Sequence, residues 1–139
     1  VILILQTLQL VAANNKKKII CYHGSWSYYR KSLGKFDIST DIDPFLCTHL
    51  IYAFVGLDAF GNLQSKNKQL DFSVKGGLGN YQKFNNLKTK NPTLKTLLSV
   101  GGSKTSKNFS ITAADPVKRL QFVESSLDFI RSYGFDGLD

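Results

Sequence analysis

The sequence predicts an α/β fold built on parallel strands. Three observations carry the prediction. Short β-rich apolar runs alternate with segments of helical period along the chain, and that alternation implies right-handed parallel crossovers. The run Thr48-His49-Leu50-Ile51-Tyr52-Ala53-Phe54-Val55 is nearly continuously apolar, which marks a strand buried on both faces, as in a sheet covered by helices. Two acid-proline pairs, Asp43-Pro44 and Asp115-Pro116, each read as a helix start, with the acid as cap and proline at the first helical position.

The elements follow in order. Val1 to Leu10 is apolar but too short to cross a bilayer. Val11-Ala12-Ala13 then offers the small residues that a signal peptidase reads. The alternative, a buried N-terminal strand, must accommodate two Gln within the run and Lys16-Lys17-Lys18 after it. Residues 1–13 are therefore expected to be a signal-peptide remnant and residues 14–139 the folded part of a secreted, extracellular protein. There is no Met, even at position 1, so the N-terminus reads as incomplete. Ile19-Ile20-Cys21-Tyr22 is the first strand and opens into an aromatic loop, His23 to Tyr29. A short helical turn from Asp43-Pro44 leads into the second strand, Thr48 to Val55. Asp58 to Asn62 turns the chain, and residues up to Gly79 show no period. Tyr81, Phe84 and Leu87 recur at helical spacing until Lys90-Asn91-Pro92 stops that helix. Leu94 to Val100 is the third strand, ended by Gly101-Gly102. The helix opened by Asp115-Pro116 presents Val117, Leu120, Val123, Leu127 and Ile130 as its apolar face, widened by Phe122 and Phe129, with Gly134 as its C′ residue. The last strand begins at Phe135 and gains two acids, Asp136 and Asp139. Ionised carboxylates on an apolar strand are costly unless paired or used, and the chain reads as a piece of a longer protein.

Composition narrows the function. The formal charge of +8 comes from basic residues spread along the chain, with no nucleic-acid-binding motif beside them, so no nucleic-acid partner is expected. Neither the Gly-x-Gly-x-x-Gly of a dinucleotide site nor the Gly-Lys-Ser of a P-loop is present. His23 and His49 lack metal-ligand company and read as structural or solvent-facing; no metal, no cofactor and no membrane partner are expected. The two cysteines, Cys21 and Cys47, are compatible with a disulfide or with two separate buried thiols, and secretion favours the disulfide. Asn108-Phe109-Ser110 is an N-glycosylation acceptor, whereas Pro92 excludes Asn91-Pro92-Thr93.

Periodicity does not separate a doubly wound sheet from a barrel. In both, ligands bind beyond the carboxyl ends of the strands. Those ends carry Tyr22 to Trp26, Phe54 to Gly56, Gly101 to Ser103, and Asp139. Aromatics, glycines and an acid together suit a flat, polar-rimmed ligand such as a sugar.

Four blocks carry a resemblance: Cys21-Tyr22-x-x-x-Trp26, Leu46 to Phe54, Leu97-Leu98-Ser99-Val100-Gly101-Gly102, and Tyr133-Gly134-Phe135-Asp136-Gly137-Leu138-Asp139. In that order and spacing the chain resembles the N-terminal part of a family-18 glycoside hydrolase, a secreted chitinase or chitinase-like protein of insect type. The resemblance implies a (β/α)8 TIM barrel, of which this chain supplies strands one to four. The family signature is Asp-Gly-x-Asp-x-Asp-x-Glu. Asp136, Gly137 and Asp139 match its start, and the chain ends before the third Asp and the Glu. Those two places share Asp139's strand face, since side chains alternate with period two, and Asp136 has the opposite parity. By resemblance the Glu protonates the glycosidic oxygen of chitin while the substrate's acetamido oxygen attacks the anomeric carbon. The middle Asp orients the acetamido group, Asp139 holds the middle Asp, and Asp136 is structural. This chain without the Glu would itself be inactive.

The same resemblance assigns Trp26 to sugar stacking and Tyr22 and Phe54 to the floor of the barrel mouth, where core packing is the competing role for all three. Gly101 and Gly102 would let the backbone approach the ligand. Ser103 departs from the Trp of many active members, which removes one stacking platform. The implied partner is chitin or its oligosaccharides, bound by a protein expected to be monomeric at full length. A catalytically silent lectin or growth-factor-like protein on the same fold is the alternative.

Overall fold

The structure, a computed structural model, describes residues 17–102 and 106–139; the expected signal-peptide remnant and Ser103 lie outside them. Five strands form one sheet: β1 (Ile20–Gly24), β2 (His49–Leu57), β3 (Leu63–Ser65), β4 (Lys95–Val100) and β5 (Gly137–Leu138). The strands β1, β2, β4 and β5 lie side by side in that order, each parallel to the next. A doubly wound sheet needs a reversal of strand order. Among the described residues no reversal occurs, and the sequential winding is that of successive TIM-barrel strands.

Pairing puts Tyr22, Ile51, Leu97 and Gly137 in one row across the sheet, and paired residues share a face. The opposite face packs on the helices. From β2, Leu50, Tyr52, Val55 and Leu57 enter the core with Tyr81, Phe84 and Leu87 of α3 (Asn80–Lys90). The predicted helical triplet is thus the buried face of α3. That helix stops at Asn91, whose N–H still reaches the Leu87 carbonyl, one residue before proline. The long helix after β4, α5 (Pro116–Tyr133), starts as its sequence predicts. Asp115 accepts from the N–H groups of Val117 and Lys118, and left-handed Gly134 (φ 77°) closes the other end.

Several expectations are corrected. The core-facing side of α5 carries Phe122, Ser126, Phe129, Ile130 and Tyr133, while Val117, Leu120, Val123 and Leu127 are 45–74% exposed. The short helix before β2 is α1 (Ile38–Asp41), capped by Asp37, whose carboxylate accepts from Ser39 N–H. Asp43-Pro44 instead makes a turn in which Asp43 accepts from Phe45 N–H at 2.8 Å. The stretch without period holds β3, antiparallel to β2, and α2 (Lys68–Asp71). A further helix, α4 (Ser106–Ala114), precedes α5. The last strand starts later than expected: Phe135 is core and β5 begins at Gly137. Among the described residues no helix is long and apolar enough to cross a membrane.

Candidate active site at the carboxyl ends of the strands

Asp139 extends the ladder between β4 and β5. Its N–H donates to the Leu98 carbonyl at 3.1 Å and its carbonyl accepts from Val100 N–H at 2.9 Å, which places it beside Ser99. The Ser99 hydroxyl donates to Asp139 Oδ2 at 2.8 Å. On the other side the Tyr22 phenol, arriving from β1, donates to Oδ1 at 2.9 Å. One donor on each oxygen fixes the plane of the carboxylate and disperses its charge. The hydrogen bond to Asp139 raises the Tyr22 phenol above its ordinary value, with desolvation and the carboxylate's charge adding to it. Tyr22 is 60% exposed and does not fill the core.

Asp136 lies on the other parity and turns away from this group. Its carboxylate accepts from Thr96 N–H at 2.8 Å and pairs with Lys88 at 3.0 Å and Lys95 at 3.4 Å. Partial burial pushes its pKa up, but the Thr96 N–H and the Lys88 ammonium more than offset that and leave it below the usual carboxylate range. These contacts tie the start of β5 to β4 and α3.

Further aromatics gather at the same end of the sheet. At Phe54 the register of β2 against β4 slips by one residue between Ala53 and Val55, a bulge that re-aims the extra side chain; the Ala53–Phe54 peptide is cis. The Phe54 ring stacks on Trp26 with centroids 5.7 Å apart and planes 17° apart. Trp26 is half exposed. Lys66 donates to the Gly101 carbonyl at 2.9 Å and sits 5.8 Å from the Phe54 centroid. Asn67 donates to the Tyr29 phenol oxygen at 2.9 Å, and a hollow of 190 Å³ opens between Trp26, Tyr29, Phe54 and Lys66. Gly101 (φ 127°) and Gly102 (φ 86°) adopt positive φ, and a Cβ on Gly102 would come within 2.9 Å of the Phe54 ring. Backbone conformation and this ring therefore require glycine there, independently of any ligand.

Tyr22, Trp26, Phe54, Gly101, Gly102 and Asp139 are thus gathered at one end of the sheet, and Asp136 is set apart. Ser99, Tyr29 and Lys66 complete the group and were not anticipated. Ser99 had a visible signal, as a hydroxyl two residues from Leu97 on the same strand face. Tyr29 and Lys66 had none beyond an aromatic-rich loop and a stretch without period.

The other candidates are placed as follows. Cys21 and Cys47 form a disulfide. Asn108 lies on α4, where its amide donates to the Leu57 carbonyl at 2.7 Å. His23 is buried among Phe36, Tyr52 and Phe84, and burial pulls its pKa down to about 4 against the pull of Asp37. His49 shares a hydrogen bond with the Thr48 hydroxyl at 2.8 Å. Among the described residues no group of three or more His, Cys, Asp or Glu could hold a metal ion.

Comparison with known proteins places the chain in a family. The family model of glycosyl hydrolases family 18 matches residues 18–139. Chitotriosidase-1 of Mus musculus is 43% identical over 134 residues, covering 96% of this chain and 27% of its own. The crystal structure of Ostrinia furnacalis Group IV chitinase in complex with allosamidin superposes with a TM-score of 0.81 at 50% identity, over 88% of this chain and 32% of that one. Human YKL-39, described as a pseudo-chitinase with retained chitooligosaccharide binding properties, superposes at 0.74 with 42% identity, over 88% of this chain and 31% of that one. The chain therefore spans about a third or less of the relatives it matches, and it belongs to glycosyl hydrolase family 18.

Proposed function

We propose that the full-length protein is a secreted chitinase that hydrolyses β-1,4-linked N-acetylglucosamine polymers with retention of anomeric configuration. The observation that carries this reading is Asp139, a strand-end carboxylate with one hydroxyl donor on each oxygen, at the end of the sheet that also carries the stacked Trp26–Phe54 pair. In the mechanism the resemblance implies, an acid two residues further along β5 orients the substrate's acetamido group, and a Glu two beyond that protonates the leaving oxygen. Asp139 then acts as the fixed end of a column of acids. Carboxyls stacked on one strand face cannot all ionise, so one proton is shared among them. Tyr22 and Ser99 both donate to Asp139 and hold its carboxylate in one orientation toward its neighbour in the column. Trp26 and Phe54 offer flat faces to the apolar faces of the sugars.

Proton NMR of the full-length protein acting on soluble chitin oligomers tests the reading. Early product that is predominantly β-anomer is expected; predominantly α-anomer refutes the substrate-assisted route.

The second reading is a silent chitin-oligosaccharide-binding protein, and the likeness to YKL-39 favours it. It keeps the aromatic group and dispenses with the acid column. The residue four places past Asp139 separates the two, Glu belonging to the enzyme and a non-acid to the binding protein. Glycosylation at Asn108 and a monomeric state belong to the same proposal.

A further inference from the structure

On the outer wall of the barrel a groove of 790 Å³ runs between α3 and α5. Its volume is within the range of small-molecule sites. Both helices belong to the described chain and are joined across the lower end of the groove. Asn85 donates to the Tyr133 carbonyl at 2.8 Å and Lys88 to the Gly134 carbonyl at 2.6 Å. The aromatic side of the groove is Phe72 and Tyr133, whose rings are 5.3 Å apart and tilted by 33°. Phe129 and Tyr81 back Tyr133 at 4.7 and 5.3 Å, so the aromatic surface is held in place.

The wall beyond Phe72 is built with equal care. Leu78 N–H donates to the Gln69 carbonyl, Gly79 N–H to the Phe72 carbonyl, and the Gln69 amide to the Gly76 carbonyl, at 2.8, 3.1 and 3.1 Å. At Gly77 a Cβ would stand 2.1 Å from the Phe72 carbonyl oxygen. The chain there is pressed against Phe72 and keeps the groove's shape.

The groove also presents polar groups that the fold leaves unused. Gln82, Asn86 and Arg131 line it and are solvent-exposed, and none makes a side-chain hydrogen bond or ion pair within the described structure. Lys88 is already neutralised by Asp136. Two amides and a guanidinium beside a fixed aromatic surface match an N-acetylated sugar. The ring packs on the aromatics, and the acetamido carbonyl accepts from Arg131 or an amide.

We infer that this groove is a second carbohydrate site, which holds a stretch of chitin on the outer wall, away from the acid at the barrel mouth. The identity of the sugar rests on the chitin reading above. Such a site raises the local concentration of the enzyme on a polymer surface without touching the reacting bond.

The test uses the full-length protein and two variants, Arg131→Ala/Asn86→Ala and Asn86→Trp, the second filling the groove. Adsorption to insoluble chitin is expected to weaken by about tenfold in both, from lost hydrogen bonds or lost access. Their kcat/KM on short soluble chitin oligomers is expected to match wild type, with unchanged melting temperature. Wild-type adsorption by both variants, with product still released, overturns the groove and leaves the chitin reading intact. Neither adsorption nor product from the wild-type protein overturns the chitin reading, and the groove falls with it.

Discussion

Tyr22 and Asp139 lie 117 residues apart in the chain and meet at 2.9 Å. The contact is between the first and last strands described, across β2 and β4, and exists only because the parallel strands are laid down in sequence and curl. Ser99 closes the arrangement from β4 at 2.8 Å. In the proposed mechanism Tyr22 and Ser99 are positioning residues that work through Asp139.

In the full-length protein Tyr22→Phe and Ser99→Ala should each lower kcat/KM on soluble chitin oligomers by roughly 10- to 100-fold, the usual cost of losing a hydrogen-bond partner behind a working group. The pH profile should move as well, because a carboxylate freed to turn changes its contact with the neighbouring acid that shares the proton. A fall in rate with an unmoved profile would assign these hydroxyls a purely structural role.

Trp26→Ala should raise KM for long oligomers by about tenfold and leave the shortest substrates little changed, since one stacking face is worth about 1 kcal/mol beyond its burial. Equal KM values for wild type and variant across the oligomer series would return Trp26 to the fold.

Much of this was legible in the residues, and where it was not the reason is physical. Thr48 to Val55 announces a buried strand because both of its faces are covered. The bulge at Phe54 is invisible because one inserted apolar residue leaves a continuous apolar run unchanged. The face of α5 was misread because apolar residues occur at helical spacing on two sides of the helix. Periodicity selected Val117, Leu120, Val123 and Leu127. The core took the side with Ser125 and Ser126, because the β2–β3 hairpin presses there: Ser125 bonds Leu63 N–H and the Gly61 carbonyl, and a Cβ on Gly61 would lie 2.5 Å from the Lys118 carbonyl. That hairpin comes from the segment without period, so the helix face could not be chosen without it.

His23 sets an acid limit on stability. Its pKa falls from 6.5 to about 4 on folding, through burial among aromatics. The unfolded chain therefore binds the extra proton first. Stability is full above 6.5 and declines as pH falls toward 4, by roughly 3 kcal/mol in all. Denaturant midpoints measured across that window should slope for the wild-type full-length protein and flatten in His23→Phe. Asp71, raised chiefly by burial, acts in the opposite sense in both proteins, so the difference between them isolates His23. Parallel slopes would contradict this account.

Residues 14–139 expressed alone should be insoluble or unfolded. Val117, Leu120, Val123 and Leu127 form an exposed apolar stripe on α5, and Ile19 and Ile20 are more than half exposed at the β1 edge, a combination that favours aggregation. The Cys21–Cys47 bridge contributes about 3–4 kcal/mol in the chain-entropy model but covers neither surface. A soluble monomer with a cooperative thermal transition would count against this prediction.

The most direct measurement is hydrolysis of soluble chitin pentamer by the full-length protein and its Asp139→Asn variant, followed by mass spectrometry of the products. Shorter oligomers are expected from the wild type and a rate lowered by roughly 10- to 100-fold in the variant, as for loss of a group that holds a catalytic neighbour. No product from the wild type, or equal rates from the two proteins, would contradict the proposed mechanism.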